Sequence, residues 1–489
     1  MEEKIIRYSD FGAVGDGFAD DYMAILAAHE AANKMGAKVV ADEGMRYYMG
    51  AHDVTIPIMT DVDWTGATII IDDSKIKIED PARTTSVFTV LPSLPRFNID
   101  LKSVRKGAKK LDVAPGVPCM IHLEDDNHRV YVRYGGNAND GEPLRELILS
   151  DAEGNIDENT PPVLDYAELT SCFCIPLDEK PITIQGGYFI TVLNVAFPKQ
   201  WIAYNRNIEI KRSNTTIRDI VHKNVGDSPF RAATMGFIHV SFCNNILIKN
   251  ITFSSEQRNF FKNAKGQTVL IGSYETGATE CNNITWENCK RVLNIDADGN
   301  KCTSGCMGTN RMKNVKYYNN ENMTFDAHTG LYNLHIKGGI ILAAGIQGAG
   351  TAILEDLTMC TPYVMHFKMD YGSGWDGDFI IKNVKLAPAE VLDEYNVFKA
   401  WWVNHDFGYK VTMPKNLYIE NLTTPDNKPI ALVTNGDNYD DLTKDTLSDG
   451  SVNKNPITPT EKLTVKSKGL KFRLNKGKTF EYINTEIDV

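Results

Sequence analysis

One phrase recurs through the middle of this chain and limits what it can become: an asparagine, an apolar residue, any residue, and a second apolar residue. It occurs as Asn207-Ile208-Glu209-Ile210, Asn245-Ile246-Leu247-Ile248, Asn283-Ile284-Thr285-Trp286, Asn314-Val315-Lys316-Tyr317, Asn333-Leu334-His335-Ile336 and Asn416-Leu417-Tyr418-Ile419, with Ala352-Ile353-Leu354-Glu355 and Phe379-Ile380-Ile381-Lys382 filling two gaps. Starts are roughly 19 to 38 residues apart, as expected when strands stack and the turns between them vary in length. Helical periodicity is absent from this region, and asparagine ahead of each strand suits a sharp turn where its amide can bond along a ladder. Each phrase is followed by a second strand, at 236–242, 268–272, 291–295, 323–325, 339–342, 363–369 and 397–403, which is assigned to a second face. The spacing predicts an all-β chain folded as a parallel β-helix.

Around this repeat the sequence divides into 1–50, a cap of turn, helix and strand; 51–85, the first rungs; 86–180, an inserted β subdomain or long excursion; 181–425, the main β-helix; and 426–489, a closing β segment. The insertion is read from its prolines at 92, 95, 115, 118, 143, 161 and 162 and from alternating runs such as Val130-Tyr131-Val132-Arg133-Tyr134. In the cap, Asp20 or Asp21 serves as N-cap of a helix to about Lys34, with Met23, Leu26, Ala27 and Ala31 as its apolar stripe.

The cap also carries a resemblance. Asp10-Phe11-Gly12-Ala13-Val14-Gly15-Asp16-Gly17-Phe18-Ala19-Asp20-Asp21-Tyr22-Met23-Ala24-Ile25, followed by Gly36-Ala37-Lys38-Val39-Val40 and Gly44-Met45-Arg46-Tyr47-Tyr48, resembles the opening motif of the pectate-lyase-like, right-handed parallel β-helix proteins, which include phage tailspikes and polygalacturonase relatives. The resemblance covers about the first 50 residues. It implies a right-handed parallel β-helix, a carbohydrate partner, and homo-oligomers, trimers being common in such proteins. The polygalacturonase-type site signature is not met. Asp326-Ala327-His328-Thr329-Gly330 only loosely echoes its histidine motif, Arg311-Met312-Lys313 precedes it where the basic motif should follow, and Asn-Thr-Asp does not occur. Family catalytic roles are therefore not transferred.

A net charge of −11 argues against a nucleic-acid partner, because phosphate contacts need a basic face. No run of 18 apolar residues occurs, so no membrane partner is expected. The nine cysteines are read as unpaired, two of them at equivalent repeat positions in Cys243-Asn244-Asn245 and Cys281-Asn282-Asn283. Free cysteines and the absence of a leader favour a cytoplasmic chain, with a secreted chain whose leader has been removed as the alternative.

The second strands end in polar residues: Tyr274 and Glu275, Asp296 and Asp298, Asp326 and His328, Gln347, Asp370 and Tyr371, His405 and Asp406. Rungs stack ~4.8 Å apart, so these residues are predicted to form a column along one edge. Glycan cleavage needs two carboxyls across the scissile bond, about 5 to 5.5 Å apart for retention and about 6.5 to 9.5 Å for inversion. Asp326 and Asp370, two rungs and roughly 9.6 Å apart along the axis, fit inversion. They are the predicted acid and base, with His328, two residues from Asp326 and on its face, tuning the carboxyl. Trp375, between glycines, is the predicted sugar platform. Tyr371, Arg311, Lys337, Glu275 and His405 complete the predicted substrate-binding set. No metal or cofactor is expected, with calcium at Asp376 and Asp378 as a minor alternative. The preferred function is a glycoside hydrolase. A polysaccharide lyase acting on a uronate-containing glycan and a non-catalytic glycan-binding or tailspike-like protein are the alternatives.

Overall fold

The computed structural model describes residues 4–134, 140–194, 203–226, 233–255, 259–262, 268–271, 274–293, 306–433, 442–475, 478–479 and 487–488. They group into two compact units, 1–95 with 177–308 and 321–323, and 96–176 with 309–320 and 324–489.

In the first unit, short parallel strands pair in register rung after rung. Ile6 stacks on Val39, Val39 on Val62, Val62 on Ile184, then Ile217, Ile248 and Trp286 follow on the same line. From Val39 onward every side chain of that line is fully buried. Burying one such aliphatic side chain contributes about 1.5–3 kcal/mol, so the repeat supplies its own core one rung at a time. The asparagines do what their position suggests. Asn245 and Asn283 adopt φ of 58° and 54°, and their amides donate to Asn214 and Asn244 at 2.6 and 2.8 Å. The segment 268–271 departs from expectation: it pairs antiparallel with Asn259–Lys262 in a two-stranded ribbon and joins no parallel rung.

The cap helix is Tyr22–Met35, ended by Gly36 at φ 62°. Its buried face is Tyr22, Ile25, Leu26, Ala28, His29 and Ala32, rotated from the predicted stripe, and Met23 is 56% exposed. Asp21 occupies the N-cap position without capping. Its carboxylate reaches back to accept from the backbone N–H groups of Val14 and Gly15, while Asp20 accepts from Tyr22 N–H. The motif is thus a closed turn with its acid groups consumed by backbone donors.

In the second unit the ladder runs from Leu334–Lys337 through Ala352–Glu355, Phe379–Lys382, Leu417–Glu420 and Leu463–Lys466. Its inward line is Ile336, Leu354, Ile381, Ile419 and Val465, all fully buried. Beside it, Gly345 and Ile346 pair with His366 and Phe367, which pair with Lys399 and Ala400. The inserted subdomain is a four-stranded antiparallel sheet in the order Glu142–Ser150, Cys119–Val130, Ser171–Pro176 and Phe97–Asn98. Its own core gathers Leu101, Val104, Ile121, Leu123, Ile148 and Tyr166. Two ion pairs tie it to the rungs of this unit: Lys313 to Glu146 at 2.6 Å, buried at both ends, and Arg311 to Glu142 at 2.5 Å, where only the arginine is buried. The parallel rungs, the capping helix and the inserted sheet together make the chain an all-β right-handed parallel β-helix.

Candidate active site

Strand alternation in the second unit sends Phe325 and Ala327 into the core and turns Asp326 and His328 outward. His328 Nε2 lies 2.5 Å from Asp326 Oδ2. Lys368 Nζ lies 2.5 Å from Asp326 Oδ1. That lysine arrives from beyond an intervening strand, and it can do so because the residue between is Gly345. A Cβ on Gly345 would stand 3.3 Å from both Asp326 Oδ1 and Lys368 Cε. Burial works to raise the Asp326 pKa, but the hydrogen bond to His328 and the charge of Lys368 outweigh it and hold the carboxyl at about 2. A group so held is a carboxylate at neutral pH. It stabilises positive charge, it takes a proton only from a water made acidic by bonding to carbon, because so low a pKa also makes it a weak base, and it is a poor proton donor.

Asp370 sits in a short turn at 369–371, closed by Gly372 at φ 64°. Its Oδ2 accepts from Arg133 Nε at 3.1 Å, while Oδ1 is buried without a hydrogen-bond partner. Arg133 also lies 5.1 Å from the centre of the Tyr371 ring. Burial holds the Tyr371 phenol above its usual pKa, against the opposing charge of Arg133. The Tyr371 ring centre is 6.3 Å from that of His328, so the Asp326 and Asp370 groups share one wall.

Arg133 and Tyr134 come from the inserted subdomain, in the run whose alternation predicts a strand. The strand in fact ends at Val130, and Tyr131 takes φ 55°, which breaks the ladder and frees Val132 to Tyr134. Tyr409 fixes the new course by accepting from Val132 N–H and donating to the Tyr371 carbonyl.

The structure therefore brings together Asp326, His328, Asp370 and Tyr371, and it places His405 on the same wall through Tyr134, on which it stacks at 3.9 Å. Other predicted residues lie elsewhere. Trp375 is fully buried and donates to the carbonyls of Gly350 and Asp378; with no exposed face it cannot be a sugar platform. Glu275 is fully buried in the first unit, accepting from Asn224 and paired with His222, so it meets no substrate. Lys337 follows the turn at Asn333 onto a different face, where it and His335 share Glu355. Arg311 is committed to Glu142. Asp376 pairs with Lys106, and Asp378 accepts from Asn416, so the two carboxylates do not converge as calcium ligands. Asp296 and Asp298 lie outside the described residues, and among the described residues no cluster of three or more His, Cys, Asp or Glu is placed to hold a metal ion. Gln347 is wholly buried with neither end of its amide partnered.

Sequence reasoning missed Lys368, His366 and Arg133. Period two from Asp370 reaches Lys368 and His366, so the signal for those two was present. Arg133 is 237 residues from Asp370 and had none.

No protein-family model matches the chain, and no curated protein sequence matches it. Similar solved structures include PfbA, a surface adhesin of Streptococcus pneumoniae, at 13% identity and TM-score 0.45, covering 88% of this chain and 90% of that one. The endo-xylogalacturonan hydrolase of Aspergillus tubingensis is similar at 11% identity and TM-score 0.39, covering 87% and 95%. The tailspike gp61 of Pseudomonas phage phi297 is similar at 12% identity and TM-score 0.38, covering 88% and 84%. This chain's own ladder, parallel and in register from rung to rung, is that of the right-handed parallel β-helix proteins to which its opening motif points.

Proposed function

We propose that the chain is a carbohydrate-active enzyme that hydrolyses a glycosidic bond at the wall formed by Asp326 and Asp370. The observation that carries this reading is the pinned Asp326 carboxylate, ionised between His328 and Lys368, on a wall shared through the His328–Tyr371 ring contact with a second carboxyl, Asp370, that has one buried oxygen left unpartnered. In this reading Asp326 takes a proton from the attacking water. The step balances only with Asp370 carrying the proton that the leaving oxygen takes, on Oδ1, the oxygen that Arg133 does not hold. Asp326 lies beside Gly345, and Gly345 pairs with His366 on the rung that leads to Asp370. Those two ladder steps are roughly 9.6 Å along the axis, just above the separation used for inversion and well above that used for retention. Incubation with a glycan panel is expected to yield new reducing ends of inverted anomeric configuration.

A second reading, a lyase acting on a uronate-containing glycan, is favoured by the basic groups on the same wall. Lys368 and Arg133 carry charge beside the carboxylates, and burial keeps His366 neutral, with a pKa of about 3. A lyase leaves an unsaturated sugar whose double bond absorbs in the ultraviolet, and a hydrolase does not. Absorbance rising with cleavage selects the lyase. Glycan binding with neither product selects a non-catalytic binding protein.

A further inference from the structure

Beyond Lys368 the same outward line continues to Lys399 and Trp401. His366 pairs directly with Lys399, and Trp401 N–H reaches the Phe367 carbonyl, which sets the indole one ladder step past the rung of Lys368. Trp401 is 45% exposed, whereas Trp64, Trp286 and Trp375 are fully buried. Its ring lies 4.3 Å from the His366 ring at an interplanar angle of 72°, with Lys399 Nζ 4.9 Å from the ring centre. His366 is only 8% exposed, and its Nε2 is buried without a partner. An unpaired buried polar atom costs about 1–3 kcal/mol. The histidine backs the indole from below and holds it edge-on, so that the exposed face of Trp401 is presented to solvent in a fixed orientation.

We propose that Trp401, Lys399 and His366 form a distal sugar subsite, in which a pyranose ring of a bound glycan stacks on the indole, Lys399 supplies a polar contact at its rim and His366 fixes the indole from beneath. The assignment rests on the glycan reading given above. It adds that the glycan runs along the rungs and is longer than a disaccharide. From Asp326 to Gly345, to His366 and to the rung of Trp401 is three steps, roughly 14 Å along the axis. A ligand must span that length to touch both ends.

The test uses oligogalacturonides and neutral xylo-oligosaccharides of increasing length, with the full chain carrying Trp401→Ala or Trp401→Phe. Loss of a stacked ring is expected to raise KM for the longer oligomers roughly 3- to 10-fold in Trp401→Ala, with kcat and the disaccharide unaffected, and Trp401→Phe should restore most of it. Binding is measured by calorimetry in Asp326→Asn as well, so the two readings fail separately. A long oligomer bound by Asp326→Asn, and bound more weakly once Trp401→Ala is added, supports the subsite even where no bond is cleaved. Unchanged KM and unchanged affinity at every length overturn the subsite while leaving cleavage at Asp326 intact. If no oligomer is bound or turned over by the wild-type chain, both readings fall.

Discussion

Asp326 is defined by what holds it. Its pKa of about 2 lies below the ordinary carboxylate value of 3.8. Its pairing therefore stabilises the fold fully above about pH 4 and loses that contribution as pH falls through about 2. Lys368→Met removes one of the two opposing groups, so the carboxyl moves up toward its ordinary value. The acid limb of the pH–rate profile should shift upward with it, and acid unfolding should begin at higher pH, read by circular dichroism across a pH series. Gly345→Ala is a finer probe. The new methyl meets Asp326 Oδ1 and Lys368 Cε at 3.3 Å, so the contact must give by a few tenths of an ångström. Turnover should fall while thermal stability changes little. The pairing of Asp326 with His328 was legible in sequence, because residues two apart on a strand share a face. The burial of Trp375 was not, because flanking glycines that would let a sugar approach also let a backbone approach. Gly377 does the latter: a Cβ there would fall 2.1 Å from the Gly350 carbonyl oxygen.

The elements obey a simpler rule. A parallel strand buried on one line needs an apolar residue at one fixed position per rung, and Ile381 sits mid-ladder between Leu354 and Ile419. Ile381→Ala should cost about 2–5 kcal/mol in denaturant unfolding. The inserted sheet is held differently. Lys313 and Glu146 are both nearly inaccessible, and Glu146 also accepts from Val163 and Leu164 N–H. Removing one member leaves an uncompensated buried charge, so Lys313→Met should destabilise by about 3–5 kcal/mol, whereas a paired apolar replacement of both should recover most of it. The cap helix shows where periodicity misleads. Its apolar and small residues are dense enough to support two stripes, and packing chose the one containing Tyr22 and His29, whose Nε2 meets the Tyr8 hydroxyl at 2.9 Å.

At the scale of the whole chain, the repeat and the opening motif made the fold readable, since rung spacing is a local property and every rung repeats it. The candidate wall was only half readable. Its rung-borne members follow from alternation, but Arg133 and Tyr134 arrive on an insertion whose path depends on a single positive φ at Tyr131, and Trp401 depends on a register set by loops of irregular length. Along one outward line Gly345, His366, Lys368, Lys399 and Trp401 follow from Asp326, and none of those five was among the residues predicted to form a column; Glu275 is buried in the first unit and Lys337 lies on another face. The account turns on Asp326 as the group that acts on the glycan. Turnover by Asp326→Asn, an isosteric change that removes the charge and turns one of the two accepting oxygens into a donor, tests it most directly. A loss of roughly 10²–10⁴-fold, with the circular dichroism spectrum unchanged, is the predicted result. Turnover equal to wild type would contradict the account.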